Sequence, residues 1–556
     1  MAAAVGDWCE ISPLGDLAVK AARLVPERDA IVFPDERLTY GELFERATAV
    51  ARGLAGIGVE AGDRVGLLAA NGGEYVEAFF GISLLGAVIV PLNARHKAAE
   101  LGYIAANSKM TAILTTAKDD AYVDFSAVLA EALPSIVAAP DATALELAEA
   151  PALRAVALMN RDGERSGFMD RATFDRFAEE VPSGEIEAAR RRVRLRDIAA
   201  ILYTSGTTAN PKGCMLTHEA MTRGATERAT TRFGNGRLGN GRHDVTYGAG
   251  PLFHIGTLAP YIGSMAAMGT FLSDVFFEPG RALDLMEAEG VTVAVPWFPA
   301  IVQGLLNHPD FAPERLRTLR SMVVILPESL MRRLMEMLPE CELIQGCGMT
   351  ETAGIYAVCD PDDSLEIRAR AQGRPSPGIE LRIIDPETGA DLPPGQSGEI
   401  LVRGYCVMEG YFDDPEKTAE ALDEDGWLHT GDLYIQLQEG SVLFNGRLKD
   451  MLKVGGENVA ALEVEAFLAG HEAVKIAEVV GRPDERLDEV PVAFVELVPG
   501  ASADGDEIIE WCKGKIANYK IPREIVFIEA EEWPMSATKV DKRQLRARLT
   551  AVSPAP

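Results

Sequence analysis

The chain is 556 residues long, 47% hydrophobic and 25% charged, which is ordinary globular usage and excludes a disordered, collagen-like or coiled-coil protein. At about 150 residues per domain it exceeds one simple domain. Its 84 acidic side chains outnumber 54 basic ones for a formal net charge of −30, a field that repels phosphate backbones and anionic lipid and excludes general binding to nucleic acid or membrane surfaces.

In chain order, residues 1–10 show no basic run ahead of a long apolar stretch, so no secretory signal is expected. Leu43–Gly53 has helical spacing, Arg64–Ala69 reads as a strand and Glu74–Leu84 as a helix. Ala87–Pro91 and Ala112–Thr116 are apolar runs that fit strands covered on both faces. This strand–helix rhythm predicts an α/β fold with a mainly parallel sheet. Residues 118–196 are rich in Ala and Glu and are expected to form helices and surface connections. They end in the basic run Arg190–Arg196, which reads either as a solvated face or as a landing patch for an anionic ligand. Ile198–Tyr203 is expected to be a strand. From about residue 380 the texture turns to antiparallel strands, Ile379–Ile384, Gly398–Arg403 and Leu443–Asn445, with Pro/Gly turns between them. Beyond Gly446 a strand at Val492–Val498, a helix at Glu507–Ala517 and a strand at Ile525–Glu529 predict a separate small α+β domain. The apolar stretches Ala78–Leu92 and Val291–Leu306 are too short to span a bilayer and contain proline, so no membrane span is expected.

Seven cysteines without a CxxC pair do not form a disulfide framework, and seven histidines without HExxH do not mark a zinc site. Reduced thiols and a cytoplasmic location are expected. The GxGxxG match at Gly234–Gly239 neither follows a strand nor opens a helix, so it reads as a loop. The stronger signal is Thr204-Ser205-Gly206-Thr207-Thr208 running to Lys212-Gly213 straight after a predicted strand. Hydroxyls, pliant backbone N–H groups and one ammonium suit phosphate oxygens. Pro211 before the lysine separates it from a Walker loop.

That loop resembles the signature of the adenylate-forming superfamily, which includes acyl- and aryl-CoA synthetases, firefly luciferase and peptide-synthetase adenylation domains. Further stretches resembling its motifs follow in order. They are Leu38–Leu43, Gly86–Asn93, Pro251–His254, Gly348–Thr352, Gly398–Gly404, Trp427–Asp432, Gly446–Asp450, Lys453–Asn458 and Lys539. The resemblance covers about residues 38–546 and implies two domains. Residues 1–446 would hold parallel-rich sheets flanked by helices plus a distorted β-barrel, and 447–556 would form a small mobile α+β domain.

The resemblance implies activation of a carboxylic acid by ATP to an acyl-adenylate and pyrophosphate, followed by attack of the CoA thiol. ATP, Mg²⁺ and CoA are the implied cofactors. Thr204, Ser205, Gly206, Thr207, Thr208 and Lys212 would hold the triphosphate, with Cys347 and Gly348 beside the nucleotide. Thr350 would touch the α-phosphate, and Glu351 would ligate Mg²⁺. Asp432 would accept from both ribose hydroxyls, supported by Arg447. Lys539 would bridge carboxylate and α-phosphate, stabilising charge in the transition state. Lys449 stands at the hinge position, after which Lys453 enters the site and Gly455 and Gly456 lie along the pantetheine arm. His254 would gate the acyl pocket, with Trp297, Phe298 and Ile325 lining it.

The chain departs from the family at three places. Cys347 replaces the aromatic residue that stacks on adenine, Ile325-Leu326-Pro327-Glu328 replaces a Gly/Ala-rich loop, and Thr538 replaces the glycine before the catalytic lysine. Lys542 lies near enough to compete with Lys539, which keeps the family's placement. The first reading is an ATP-dependent acyl-CoA synthetase for an apolar acid, whether fatty, branched, aryl or polycyclic. The alternatives are an adenylating enzyme that loads a separate carrier protein and an inactive nucleotide-binding scaffold. A homodimer is left open.

Overall fold

The computed structural model describes residues 11–117, 123–204, 211–232, 243–454, 457–484, 486–516, 518–536 and 539–552. The chain divides into two compact units, Met1–Leu381 with Val402–Leu428, and Arg382–Leu401 with His429–Pro556.

The first unit carries two large sheets. One has six strands in the order Ala155–Leu158, Ala112–Thr115, Arg64–Leu68, Val88–Pro91, Ile198–Thr204, Lys212–Thr217. All neighbours in it are parallel except the last pair, which forms an antiparallel hairpin. The other has nine strands, running from Arg374–Pro375 through Gly354–Val358, Glu342–Met349, Ser321–Val324, Val293–Trp297, Val245–Gly248, Thr270–Leu272 and Asp29–Phe33 to Glu36–Thr39. The parallel-rich α/β reading therefore holds. Continuous apolar strands such as Val88–Pro91 are buried at every position, as a sheet covered by helices requires.

The first motif-like stretch has a structural task. Thr39 caps helix Tyr40–Gly56, accepting from the Glu42 amide at 3.3 Å while the Glu42 carboxylate accepts from the Thr39 amide at 2.9 Å. The second begins at Gly86, which ends helix Gly73–Leu85 with φ of 77°, a left-handed turn that glycine adopts without strain.

Where a distorted β-barrel was expected, the described residues form a four-stranded sheet, Ile379–Ile384, Ser397–Gly404, Leu428–Gln436 and Val442–Arg447 in that order, with no closing pair between its first and last strands. In the second unit, Glu457–Ala460, Met451–Val454, Asp488–Leu497 and Val474–Asp484 form an antiparallel sheet. Glu524–Phe527 adds parallel to Asp488–Leu497. Helices Ala461–Leu468 and Gly505–Cys512 bury Val464, Leu468, Ile508 and Cys512 in the core of this unit. Among the described residues no helix is long and apolar enough to cross a membrane.

Candidate functional site

The hairpin that ends the six-stranded sheet brings Thr204 opposite Lys212 and Leu202 opposite Cys214. Ser205, Gly206, Thr207 and Thr208 lie outside the described residues, as does the Gly234–Gly239 loop. The Lys212 ammonium sits 4.8 Å from the centre of the Tyr411 ring, within cation–π reach. The Tyr411 hydroxyl donates to Glu351 Oε1 at 3.0 Å. Glu351 stands in the short turn Thr350–Thr352, which follows strand Glu342–Met349. The backbone then reverses through two left-handed residues, Ala353 and Gly354. The Thr352 hydroxyl ties the turn by donating to Gly354 O at 2.8 Å.

Beneath these groups Cys214 is fully buried. Burial and the Glu351 charge push its thiol pKa well up, while Thr204 and Lys212 pull the other way. Thr204, Lys212, Cys214, Glu351 and Tyr411 thus form one cluster within the first unit. Sequence reasoning missed Tyr411. Its signal is weak, the first of two adjacent aromatic residues, Tyr411 and Phe412, between Gly410 and Asp413.

Cys347 is buried in the nine-stranded sheet opposite Ala357, next to a register shift at Gly348. A Cβ on Gly348 would meet Gly354 O at 2.2 Å, so only glycine lets the two strands approach there. Leu326 is buried, and its amide donates to Gln345 Oε1 at 3.0 Å. Three of the expected pocket residues, Trp297, Phe298 and Ile325, belong to one apolar cluster with Val295, Ile344 and Ile355. His254 caps helix Ile255–Ala266, where its Nδ1 accepts from the Gly256 amide at 3.1 Å. The Trp297 indole N–H donates to Gly256 O, which links the fourth pocket residue to the other three.

In the second unit Asp432 and Arg447 face each other across adjacent strands and form an ion pair at 3.1 Å. Glu399 orders the approach to Asp432. Its carboxylate is buried, accepts from the Gly431 amide at 2.9 Å and lies 3.1 Å from His429 Nδ1. Sequence reasoning quoted Glu399 without a role, although an acid inside an apolar strand is a readable signal. Lys449 lies in the turn Leu448–Asp450, where burial and Arg447 lower its pKa against the opposing charge of Asp450. Arg546 reaches this turn and pairs with Asp450 at 3.2 Å.

Lys539 pairs through its backbone with Ser536 in a two-residue strand. The side chains of Lys539 and Lys453, and Gly455 and Gly456 entirely, lie outside the described residues. Lys542, the competing lysine, is drawn inward. It contacts Glu465 and lies 3.4 Å from Glu478. Burial and the Glu465 charge push the Glu478 carboxyl up to about 7.

Comparison with known proteins adds two matching family models. The first, the AMP-binding enzyme model, matches residues 18–412, and the second, the AMP-binding enzyme C-terminal domain, matches 463–539. A CoA ligase of Mycobacterium tuberculosis, named for a methyl-dioxo-octahydroindenyl propanoyl group, is 35% identical over 95% of this chain and 97% of its own. A feruloyl-CoA synthase of an Amycolatopsis species is 32% identical over 96% of this chain and 99% of its own. The ATP-bound structure of MatB from Rhodopseudomonas palustris superimposes with a TM-score of 0.81 at 26% identity, covering 97% of this chain and 99% of that one.

Proposed function

The chain belongs to the AMP-binding enzyme family and is an acid–thiol ligase of the AMP-forming type, and on that premise we propose that it is an ATP-dependent acyl-CoA synthetase for an apolar carboxylic acid. The observation that carries the reading is the meeting of Lys212 and Glu351 at Tyr411, with Thr204 beside Lys212 on the hairpin. A fixed ammonium beside a fixed carboxylate is what a polyphosphate and its cation require.

Two anions, the acid and the nucleotide, must meet in the first step. Thr204, the Ser205–Thr208 loop and Lys212 hold the triphosphate, and Thr350 contacts the α-phosphate. Glu351 is the group that would hold Mg²⁺, since its hard carboxylate oxygens match that cation. Bound there, the ion supplies neutralising charge to the phosphates. Asp432 takes the ribose hydroxyls, oriented by its pair with Arg447. Lys539 stabilises the charge that builds as the carboxylate attacks and pyrophosphate leaves. Residues 447–556 serve the two half-reactions with alternate faces about Lys449, Lys539 for adenylation and Lys453 with Gly455 and Gly456 for the thiol step.

The apolar cluster of Trp297, Phe298 and Ile325, gated by His254, supports a fatty, branched, aryl or polycyclic acid. Six described cysteines carry no disulfide, which supports a cytoplasmic location. One incubation tests the function. Purified protein, ATP, Mg²⁺, CoA and a mixed pool of such acids are followed by mass spectrometry. New acyl-CoA masses together with AMP are the expected result. Acyl-adenylates without thioesters would redirect the second step to a carrier-protein thiol, and absence of both acyl-CoA and acyl-adenylate would overturn the proposal.

A further inference from the structure

Tyr411 touches both charges of the nucleotide cluster, donating to the Glu351 carboxylate at 3.0 Å and presenting its ring 4.8 Å from the Lys212 ammonium. We infer that Tyr411 is a positioning residue that holds Glu351 and Lys212 in register for a metal-bound triphosphate. The inference rests on the proposed nucleotide site and deepens it.

The backbone places Tyr411 firmly. Met215 N donates to Gly410 O at 3.0 Å, and Phe412 N to Gly213 O at 2.8 Å, so the segment is laced to the strand that carries Lys212. Tyr411 N donates to the Thr418 hydroxyl at 2.9 Å. The same segment reaches the other charge, since Met408 N donates to Glu351 O at 2.9 Å. One short stretch therefore grips both the lysine strand and the carboxylate turn.

The chemistry of a phenol suits this post. An arginine or lysine beside Glu351 would fix the carboxylate but would also neutralise it and compete with a divalent cation. A neutral hydroxyl anchors one oxygen and leaves the charge in place, as partners behind a metal ligand do. The ring acts likewise on Lys212. A π face attracts the ammonium without taking a proton from any of its three N–H donors, which stay available to phosphate.

Two variants separate the contacts. Tyr411→Phe removes the hydroxyl and keeps the ring, whereas Tyr411→Leu removes both. Calorimetric titration with ATP is run in excess Mg²⁺ and again in chelator, for the wild-type protein and each variant. For Tyr411→Phe the expected result is about tenfold weaker binding in Mg²⁺, the scale of one charge-assisted hydrogen bond, with binding in chelator unchanged. Tyr411→Leu weakens binding under both conditions, because Lys212 loses its platform too. In steady-state assays both variants raise KM for ATP and leave KM for the acid unchanged. Equal weakening by Tyr411→Phe with and without Mg²⁺, or no weakening at all, would overturn the inference. If Tyr411→Leu does not fold, Tyr411→Phe alone decides. A wild-type protein that binds no ATP under either condition would instead sink the proposed function itself, an outcome distinct from unequal variants.

Discussion

Lys539 and Lys542 stand three residues apart in the sequence. Lys542 is buried against Glu465 and Glu478, a place from which it serves the fold, and Lys539 remains the candidate for chemistry. Lys539→Ala is expected to cut pyrophosphate release by roughly a hundredfold or more, the scale of losing one transition-state cation. Thioester formation from supplied acyl-adenylate should stay close to wild type, and equal loss in both assays would reject the role. Glu478 carries a pH signature. Its folded pKa of about 7 lies above the ordinary 4.5, so the folded state binds this proton more tightly than the unfolded one. Its contribution is therefore full at low pH and is lost as pH rises through that window. Glu478→Gln should flatten the slope, read by denaturant unfolding at about pH 5 and about pH 8. Asp432 and Arg447 were legible because short flanking runs mark them, and the fold pairs them directly. Tyr411 was not, and Glu399 was legible as a buried acid but not in its role, because their partners lie 60 and 30 or more residues away in the chain, and neither composition nor period encodes a contact at that range.

At the scale of elements, apolar period set most of the outcome in advance. The expected strands at Arg64–Ala69, Ala87–Pro91, Ala112–Thr116 and Ile198–Tyr203 all appear within a residue or two. The strand Ala155–Leu158 was hidden in an Ala/Glu-rich stretch, where alanine favours a helical reading until neighbouring strands decide. The helix expected at Glu507–Ala517 stops at Cys512, ahead of Gly514 at φ of 72°. One close approach near the site is Gly348 against Gly354. Gly348→Ala should force the two strands apart and destabilise the fold by about 1–3 kcal/mol, the usual cost of overpacking. A lowered melting temperature accompanied by weaker ATP binding is the expected pair of readouts, and an unchanged melt would contradict the geometry.

For the whole molecule the question is how so acidic a protein admits anionic substrates. In the basic run, three of the five arginines are already engaged by acids. Arg190 pairs with Asp16 and Glu187, Arg191 with Glu187 at 2.8 Å, and Arg196 with Glu409. Hydrogen bonds from Arg190 and Arg191 pull the Glu187 carboxyl down to about 2. With those cations matched internally, the net field of −30 opposes the arrival of CoA. KM for CoA should therefore fall as salt rises from about 0.01 M to about 0.15 M, where screening shortens from roughly 30 Å to roughly 8 Å. A patch that steers CoA would give the reverse trend.

The split of the first unit bears on how the chain is made. Lys212–Thr217 is an edge strand, and the segment around Tyr411 that pairs along it belongs to the second piece of that unit, Val402–Leu428. A nascent chain leaving the ribosome therefore presents this edge uncovered while everything up to residue 401 is synthesised. Open strand edges invite pairing with other chains. A chain that stops short of Val402 would keep that edge exposed for good, which makes Val402–Leu428 a guard against misassembly during synthesis as well as part of the finished site.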